Sequence, residues 1–173
     1  CDILIHINSP TDKARPAYGR IQGFIDICKE RQIPHRIYYK ELKDSYHTIQ
    51  QALSEVLKDL EENYAGLKKG LFLSSDTNAN AFLNLLMKKY GRLPDDYLIM
   101  GFDDSPISSE AVIPISTVGQ QIGKIAHEAV SLLVQQMEER KKRKPAPLKE
   151  PVHKIITPIL IRRETTEKDG CCN

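Results

Sequence analysis

Short apolar segments with strand character alternate with segments of helical periodicity over the first hundred residues, and this alternation constrains the fold most strongly. Four strands are expected, at 2–7, 36–39, 70–74 and 97–101. Three helices are expected between them, at 16–31, 46–62 and 77–90. Strands that alternate with helices form parallel sheets that are covered on both faces. We therefore predict an α/β protein with an open, mainly parallel sheet and helices on both faces.

The regular alternation stops after residue 104. Two prolines in 105–118 favour an extended crossing segment rather than a helix. A strongly amphipathic helix is predicted over 120–138, and 139–152 combines a basic run with prolines, as solvated linkers do. Residues 153–163 alternate as a strand does, and their one proline, which has no backbone donor, favours an edge position. We expect the tail, 167–173, to be disordered.

The fourth predicted strand runs through Gly101 into two adjacent carboxylates, Asp103 and Asp104. In an open α/β sheet, the crevice for a small molecule forms beyond the carboxyl ends of the strands. Carboxylates there accept hydrogen bonds from hydroxyl or amine groups strongly, because apolar surroundings lower the local dielectric constant. Asp-Ser-Pro is also common in turns that bind nothing. A ligand site and a simple turn therefore both remain open from these residues alone.

The composition is that of an ordinary globular protein, with 40% hydrophobic and 28% charged residues. A formal net charge of +2 makes neither nucleic acid nor an acidic membrane an obligatory partner. The basic run 140–144 has no aromatic stacking platform beside it, which favours a solvated surface. No apolar run reaches the roughly 20 residues that cross a bilayer, and the first residues lack the basic segment of a signal peptide. We expect a cytoplasmic protein without a membrane partner.

Metal and enzyme chemistry find little support in the sequence. The four cysteines have no metal-ligand spacing, and Cys28 falls on the apolar stripe of a predicted helix, as inert buried thiols do. Phosphate-binding loops and catalytic histidine motifs are absent. A phosphoryl-accepting receiver with magnesium at Asp76, Asp103 and Asp104 is one alternative, but it needs an acidic pair after the first strand, where Asn8 stands. We expect no enzyme, metal or cofactor.

Several motifs, taken in order, resemble the effector-binding domain of the lac/gal repressor family of bacterial transcription regulators, which has a type I periplasmic-binding-protein-like fold. The motifs are Arg20-Ile21-Gln22-Gly23-Phe24, Ser75-Asp76 before a helix, Gly101-Phe102-Asp103-Asp104, Ile113-Pro114-Ile115-Ser116-Thr117-Val118 with a later Gly123, and the ending Leu160-Ile161-Arg162-Arg163-Glu164-Thr165-Thr166. The resemblance covers nearly the whole chain.

This resemblance implies that Arg20 and Asp103 contact a small effector, with a sugar as the expected class. A guanidinium fork and a carboxylate can bracket vicinal hydroxyl groups with paired hydrogen bonds. The resemblance also implies effector contacts for Ser75, which stands where the family often has asparagine, and for Asp76, which equally suits a helix cap. Weaker effector-binding candidates lie in the first loop, at Ser9, Asp12 and Arg15.

The resemblance divides the chain between two lobes and implies a homodimer. Residues 1–114 and 153–166 correspond to the carboxyl-terminal lobe, and 115–138 to a crossover and one helix of the amino-terminal lobe. That helix would find only part of its packing partners within these residues. The dimer contact is expected at four consecutive residues, Asp104, Ser105, Pro106 and Ile107.

The implied function is that of a ligand-sensing, dimerising domain. An effector binds in the cleft between the lobes and shifts their relative orientation. The shift changes the affinity for operator DNA of a helix-turn-helix that the chain does not include, so DNA is a partner only through that domain. The alternative is a periplasmic sugar-binding transport or sensor protein of the same fold.

Overall fold

The computed structural model of the protein describes residues 1–42, 45–141 and 151–167. Their helices and strands are, in chain order, β1 (Ile3–Asn8), α1 (Pro16–Glu30), β2 (His35–Tyr39), α2 (Tyr46–Asn63), β3 (Lys69–Leu73), α3 (Asp76–Tyr90), β4 (Tyr97–Met100), α4 (Pro106–Glu110), β5 (Thr117–Gly119), α5 (Ile122–Lys141) and β6 (Ile159–Ile161). Among these helices, none has both the length and the apolar character that crossing a bilayer requires.

The first four strands form one parallel sheet in the order β2-β1-β3-β4. The α/β prediction with a parallel sheet is therefore confirmed. Because the strands run the same way, their carboxyl ends meet at one border of the sheet, which we call the carboxyl edge. Asn8, Tyr39, Leu73 and Met100 are the last strand residues at this edge. Strands β5 and β6 form a separate two-stranded sheet.

One face of the sheet carries the main hydrophobic core. Alternate strand residues, such as Ile5, Leu71 and Ile99, are fully buried against apolar side chains of α2 and α3, among them Leu53 and Phe82. Side chains of a strand alternate between its two faces, so the odd-numbered residues of β1 face this core. Burial of each large aliphatic side chain contributes about 1.5–3 kcal/mol, which makes this layer the chief source of stability.

Helix α1 packs on the opposite face through aromatic side chains. The ring of Phe24 lies 5.3 Å from that of His6 on β1, and His6 stacks on Phe72 of β3 at 4.8 Å. Cys28 of the same helix is buried, as predicted, and burial raises the pKa of its thiol. Helices therefore cover both faces of the sheet.

Two predicted elements differ from the structure. The extended segment expected over 105–118 begins instead with the short helix α4, in which Pro106 occupies the first turn. Proline is tolerated there because the missing N–H would have no helical partner. The strand expected over 153–163 is confined to β6, directly after Pro158, since proline cannot donate to a strand ladder. The N-cap of α3 is Ser75, whereas the sequence suggested a cap at Asp76 or Thr77.

The chain divides into two compact units, Cys1–Val118 with Leu160–Asn173, and Gly119–Ile159. The first unit contains the four-stranded sheet. In the second unit, α5 has no buried residue, and its apolar side chains, such as Ile122 and Leu133, are exposed. The assignment of these segments to two lobes stays a prediction. The predicted linker 139–152 and tail 167–173 lie outside the described residues at 142–150 and 168–173.

Candidate functional site

Arg20 projects from α1 to the carboxyl edge of the sheet and is held there by two contacts. Its Nη1 donates a hydrogen bond to the Ser74 carbonyl oxygen at 3.1 Å. Its Cζ lies 4.2 Å from the ring centroid of Phe102, a cation–π distance. Burial lowers the pKa of the Arg20 guanidinium, and the nearby Asp103 carboxylate opposes this effect. Arginine stays charged in proteins, so a fixed cation stands near a carboxylate at this edge.

Asp103 is held in an unusual backbone conformation just after β4. Its φ is +107°, and the φ of Asp104 is +53°. The Asp103 N–H donates to the Val118 carbonyl oxygen at 2.9 Å, and the Asp104 N–H donates to Thr117 Oγ1 at 3.4 Å. A non-glycine residue in a sparsely populated region costs about 1–3 kcal/mol, and such residues cluster at functional sites. The strain supports a functional role for Asp103.

Asp76, a predicted effector contact, is buried and accepts hydrogen bonds from other residues of the protein. The residue is 1% exposed. One carboxylate oxygen accepts hydrogen bonds from the N–H and the hydroxyl of Ser105, at 2.7 and 3.1 Å, and the other accepts from the Thr117 hydroxyl at 2.5 Å. Asp76 therefore joins the start of α3 to the loop after β4 and to β5. An effector contact at Asp76 stays a prediction.

Gly101 permits this junction because the chain passes very close to Asp76. A Cβ on Gly101 would overlap the Asp76 carboxylate and lie 3.0 Å from the Asp76 Cα. The backbones are also joined, since the Asp76 N–H donates to the Phe102 carbonyl oxygen at 2.9 Å. The loop that presents Asp103 is thus fixed to the first residue of α3.

Two more predicted effector residues, Ser75 and Ser9, accept hydrogen bonds from backbone N–H groups of the protein. Ser75 is the N-cap of α3, and its hydroxyl accepts a hydrogen bond from the Asn78 N–H at 3.3 Å. The Ser9 hydroxyl accepts from the Leu42 N–H at 3.2 Å. Neither hydrogen bond tests effector contact, so an effector contact at Ser75 and at Ser9 stays a prediction.

Asp12 and Arg15 lie together in the first loop, on the surface. Their side chains form an ion pair at 3.6 Å and are 67% and 63% exposed. Exposed pairs of this kind contribute at most about 1 kcal/mol. Of the seven predicted effector residues, the structure thus relates Arg20 and Asp103 through their charges, while the other five make hydrogen bonds or ion pairs elsewhere within the protein.

The four residues predicted at a dimer contact begin α4 and the loop before it. Asp104 accepts a hydrogen bond from Nη2 of Arg163 at 2.8 Å, and Ser105 bonds Asp76 as described. Pro106 is exposed and Ile107 is partly exposed. The dimer contact stays a prediction.

Three residues around Arg20 were not singled out from the sequence: Ser74, Phe102 and His6. Phe102 lies inside the Gly-Phe-Asp-Asp motif, so its position beside the two acids was a usable signal. Ser74 acts through its carbonyl oxygen, which side-chain chemistry does not reveal. His6 is buried on β1, with Nδ1 2.8 Å from the Phe72 carbonyl oxygen. A carbonyl only accepts, so Nδ1 carries the proton and Nε2 is an acceptor.

His6 predicts a pH dependence of stability. Burial above all, together with the nearby Arg20 charge, lowers its pKa from 6.5 to about 4. Between these two values the unfolded chain binds a proton that the folded chain does not, so stability falls as the pH falls. From about pH 7.5 to about pH 5, this residue should remove about 2 kcal/mol of unfolding free energy.

The matched variant is His6→Phe, which keeps the ring and does not titrate. Urea unfolding at both pH values should give a smaller acid-induced loss for the variant than for the wild-type protein. Equal losses in the two proteins would refute the role assigned to His6.

Among residues 1–42, 45–141 and 151–167, no group of three or more His, Cys, Asp or Glu side chains is arranged to hold a metal ion. Among the groups at the carboxyl edge are the Arg20 cation, the Asp103 carboxylate and the Ser74 carbonyl group, with the Phe102 ring beside Arg20. This set can donate to and accept from hydroxyl groups and offers an aromatic face.

The family model described as "periplasmic binding protein-like domain" matches residues 2–166. The chain belongs to this family. The ribose operon repressor of Halalkalibacterium halodurans is 26% identical over 166 residues, which are 95% of the chain and 46% of that repressor. The ribose operon repressor of Bacillus subtilis is 28% identical over 154 residues, covering 88% of the chain and 43% of that protein. The chain spans about half the length of these curated relatives.

Solved structures agree with the fold of this periplasmic binding protein-like domain. An uncharacterized protein from Actinobacillus succinogenes has a TM-score of 0.71 at 27% identity, covering 96% of the chain and 56% of that structure. A LacI family transcriptional regulator from Enterococcus faecium with bound ribose has a TM-score of 0.71 at 19% identity, covering 95% of the chain and 56% of that structure. Together with the repressor relatives, these structures confirm the resemblance to the lac/gal repressor family.

Proposed function

We propose that this chain is the ligand-sensing domain of a bacterial transcription regulator and that its effector is a sugar. The observation that carries the proposal is the Arg20 guanidinium at the carboxyl edge, which is anchored on the Ser74 carbonyl oxygen and the Phe102 ring near the Asp103 carboxylate. Relatives that are ribose operon repressors favour a regulator over a transport protein. They equally favour a binding function over an enzyme.

The chemistry of the pair suits a polyol. The guanidinium donates to hydroxyl oxygens, and the carboxylate accepts hydrogen bonds from the same or neighbouring hydroxyl groups. Hydrogen bonds to charged groups contribute about 1.5–3 kcal/mol each. The half-buried setting of both side chains strengthens such bonds, because fewer water molecules compete for them.

Regulation requires no catalytic step. An effector that binds one arrangement of the regulator more tightly than another shifts the population towards it, by no more than the difference in affinity. DNA binding then changes in the whole protein, through a helix-turn-helix outside these residues. We also propose a homodimer with Asp104–Ile107 at the contact, and a cytoplasmic location.

A thermal-shift panel on the full-length protein tests the proposal. D-Ribose, D-glucose, sucrose and cellobiose cover the sugars found with structural neighbours. At least one sugar should raise the melting temperature in a concentration-dependent way, because a ligand that binds only the folded state stabilises it.

Arg20→Met should abolish this rise, and Arg31→Met is its matched control. Arg31 caps the far end of α1, and its side chain is 68% exposed beside Glu30. The control should respond to the sugar as the wild-type protein does. If the sugar still raises the melting temperature of Arg20→Met, the proposed role of Arg20 and Asp103 is wrong.

A further inference from the structure

We propose that Phe102 is a positioning residue that holds the Arg20 guanidinium in the orientation that binds the effector. This inference rests on the proposed function for its purpose, but the contact itself is independent of any ligand. Phe102 stands between Gly101 and Asp103, so one short segment supplies both the carboxylate of the pair and the ring on which its cation rests.

Arg20 needs such a support because its side chain is long and flexible. An arginine side chain carries about 2 kcal/mol of rotamer entropy, which binding must offset unless the group is already ordered. One hydrogen bond, to the Ser74 carbonyl oxygen, fixes one nitrogen but leaves rotation about that bond. The Phe102 ring, 4.2 Å from Cζ, restrains the guanidinium by a second kind of contact.

The ring is better suited to this task than another acceptor would be. It attracts the cation through its quadrupole and supplies no oxygen atom that an effector hydroxyl would have to displace. A second carbonyl or carboxylate in its place would compete with the effector for the N–H donors of Arg20. Phe102 can therefore order the guanidinium while leaving its hydrogen-bonding chemistry to the ligand.

The Phe102 ring is itself fixed by other aromatic contacts. Its edge contacts Phe72 at 6.5 Å between centroids, Phe72 stacks on His6 at 4.8 Å, and His6 contacts Phe24 at 5.3 Å. Phe24 lies one turn after Arg20 on α1, so the contacts form a closed circuit from Arg20 through the sheet and back to its own helix. The cation is thus positioned relative to β1, β3 and the loop after β4 together.

Two measurements on the full-length protein test this role, with Phe102→Leu and Phe102→Tyr as the matched variants. The first uses no sugar: the order parameter of the Arg20 side-chain Nε–H, whose signal is assigned by its loss in Arg20→Lys, is measured by NMR relaxation. A guanidinium held in one orientation gives a high order parameter, and a mobile one gives a low order parameter. Leucine fills the space without a ring and should lower the order parameter, while tyrosine keeps the ring and should keep it high.

The second measurement is calorimetric titration with the sugar of the four-sugar panel that gives the largest thermal shift. Phe102→Leu should weaken its affinity about tenfold, and Phe102→Tyr should restore it to within about twofold of the wild-type value. A merely structural role would lower the melting temperature of Phe102→Leu but would leave the Arg20 order parameter unchanged.

The outcomes separate this inference from the proposed function. An unchanged Arg20 order parameter in Phe102→Leu, or an unchanged sugar affinity in that variant, overturns the positioning role. If no sugar of the panel binds the wild-type protein, the proposed function fails, and the NMR comparison still decides whether Phe102 orders Arg20. A lower Arg20 order parameter together with a weaker affinity in Phe102→Leu, with recovery of both in Phe102→Tyr, supports the inference.

Discussion

Replacing Gly101 by alanine is expected to lower the free energy of unfolding by about 3 kcal/mol, the upper part of the range for overpacked sites. The new Cβ would meet the Asp76 carboxylate and come within 3.0 Å of the Asp76 Cα. The Asp76 side chain and backbone cannot shift easily to make room. The carboxylate is hydrogen-bonded to Ser105 and Thr117, and the Asp76 N–H donates to the Phe102 carbonyl oxygen. For a protein of this size, the melting temperature should fall by about 6–12 °C.

Gly23→Ala is the matched control for this substitution. Gly23 lies within α1, and nothing stands within 4 Å of the position its Cβ would take. Alanine is favoured over glycine inside a helix by about 0.5–1 kcal/mol, so this variant should be slightly more stable than the wild-type protein. Urea and thermal unfolding give both values. A Gly101→Ala variant as stable as Gly23→Ala would contradict the close approach at Asp76.

Replacing Asp103 by glycine is expected to weaken sugar binding while leaving the protein at least as stable. Glycine adopts the φ of +107° without the strain that aspartate bears, about 1–3 kcal/mol. Glycine also makes the unfolded chain more flexible, which offsets roughly 1 kcal/mol of that gain. Loss of a carboxylate that accepts from hydroxyl groups should weaken affinity about 10- to 100-fold.

At the next position, Asp104→Gly is expected to do the opposite: it should lower the stability slightly and leave the sugar affinity nearly unchanged. The φ of Asp104, +53°, lies in the left-handed region that aspartate tolerates, so glycine relieves less strain there. This variant also loses the ion pair with Arg163, whose nitrogen lies 2.8 Å from Asp104. Its melting temperature should fall slightly, and its sugar affinity should stay within about twofold. Sugar binding that is lost equally in both variants would indicate a disturbed loop rather than a specific carboxylate.

Most of the fold could be predicted from the sequence because the apolar residues that a helix or strand buries recur with the period of that element. The strands from β1 to β4 and the helices between them are bounded by glycine, proline and capping residues, and their apolar spacing matches the faces that they bury. The prediction of secondary structure was wrong where one residue is compatible with two kinds of local structure. Pro106 breaks an extended pattern but also begins α4, and these roles are distinguished only by the contacts around it.

The candidate site was only partly predictable. Arg20 and Asp103 are predicted as effector contacts through a resemblance of motifs, since charge and spacing alone leave Asp103 as either a ligand contact or part of a turn. The role of Asp76 depends on Thr117, 41 residues later in the chain, and no local pattern links the two. In the same way, Phe102 acquires a role only because the fold brings Arg20 over its ring.

The central claim, that Arg20 and Asp103 bind sugar hydroxyl groups, is tested most directly by calorimetric titration with deoxy analogues. The sugar selected by the thermal-shift panel and its monodeoxy derivatives are titrated into the wild-type protein and into Asp103→Gly. In the wild-type protein, removing the hydroxyl that meets Asp103 should weaken binding about 10-fold or more, because the carboxylate is left without that donor. In Asp103→Gly, the same analogue and the parent sugar should bind with nearly equal affinity. If the wild-type protein and the variant discriminate every deoxy analogue to the same degree, Asp103 does not contact the sugar and the central claim is wrong.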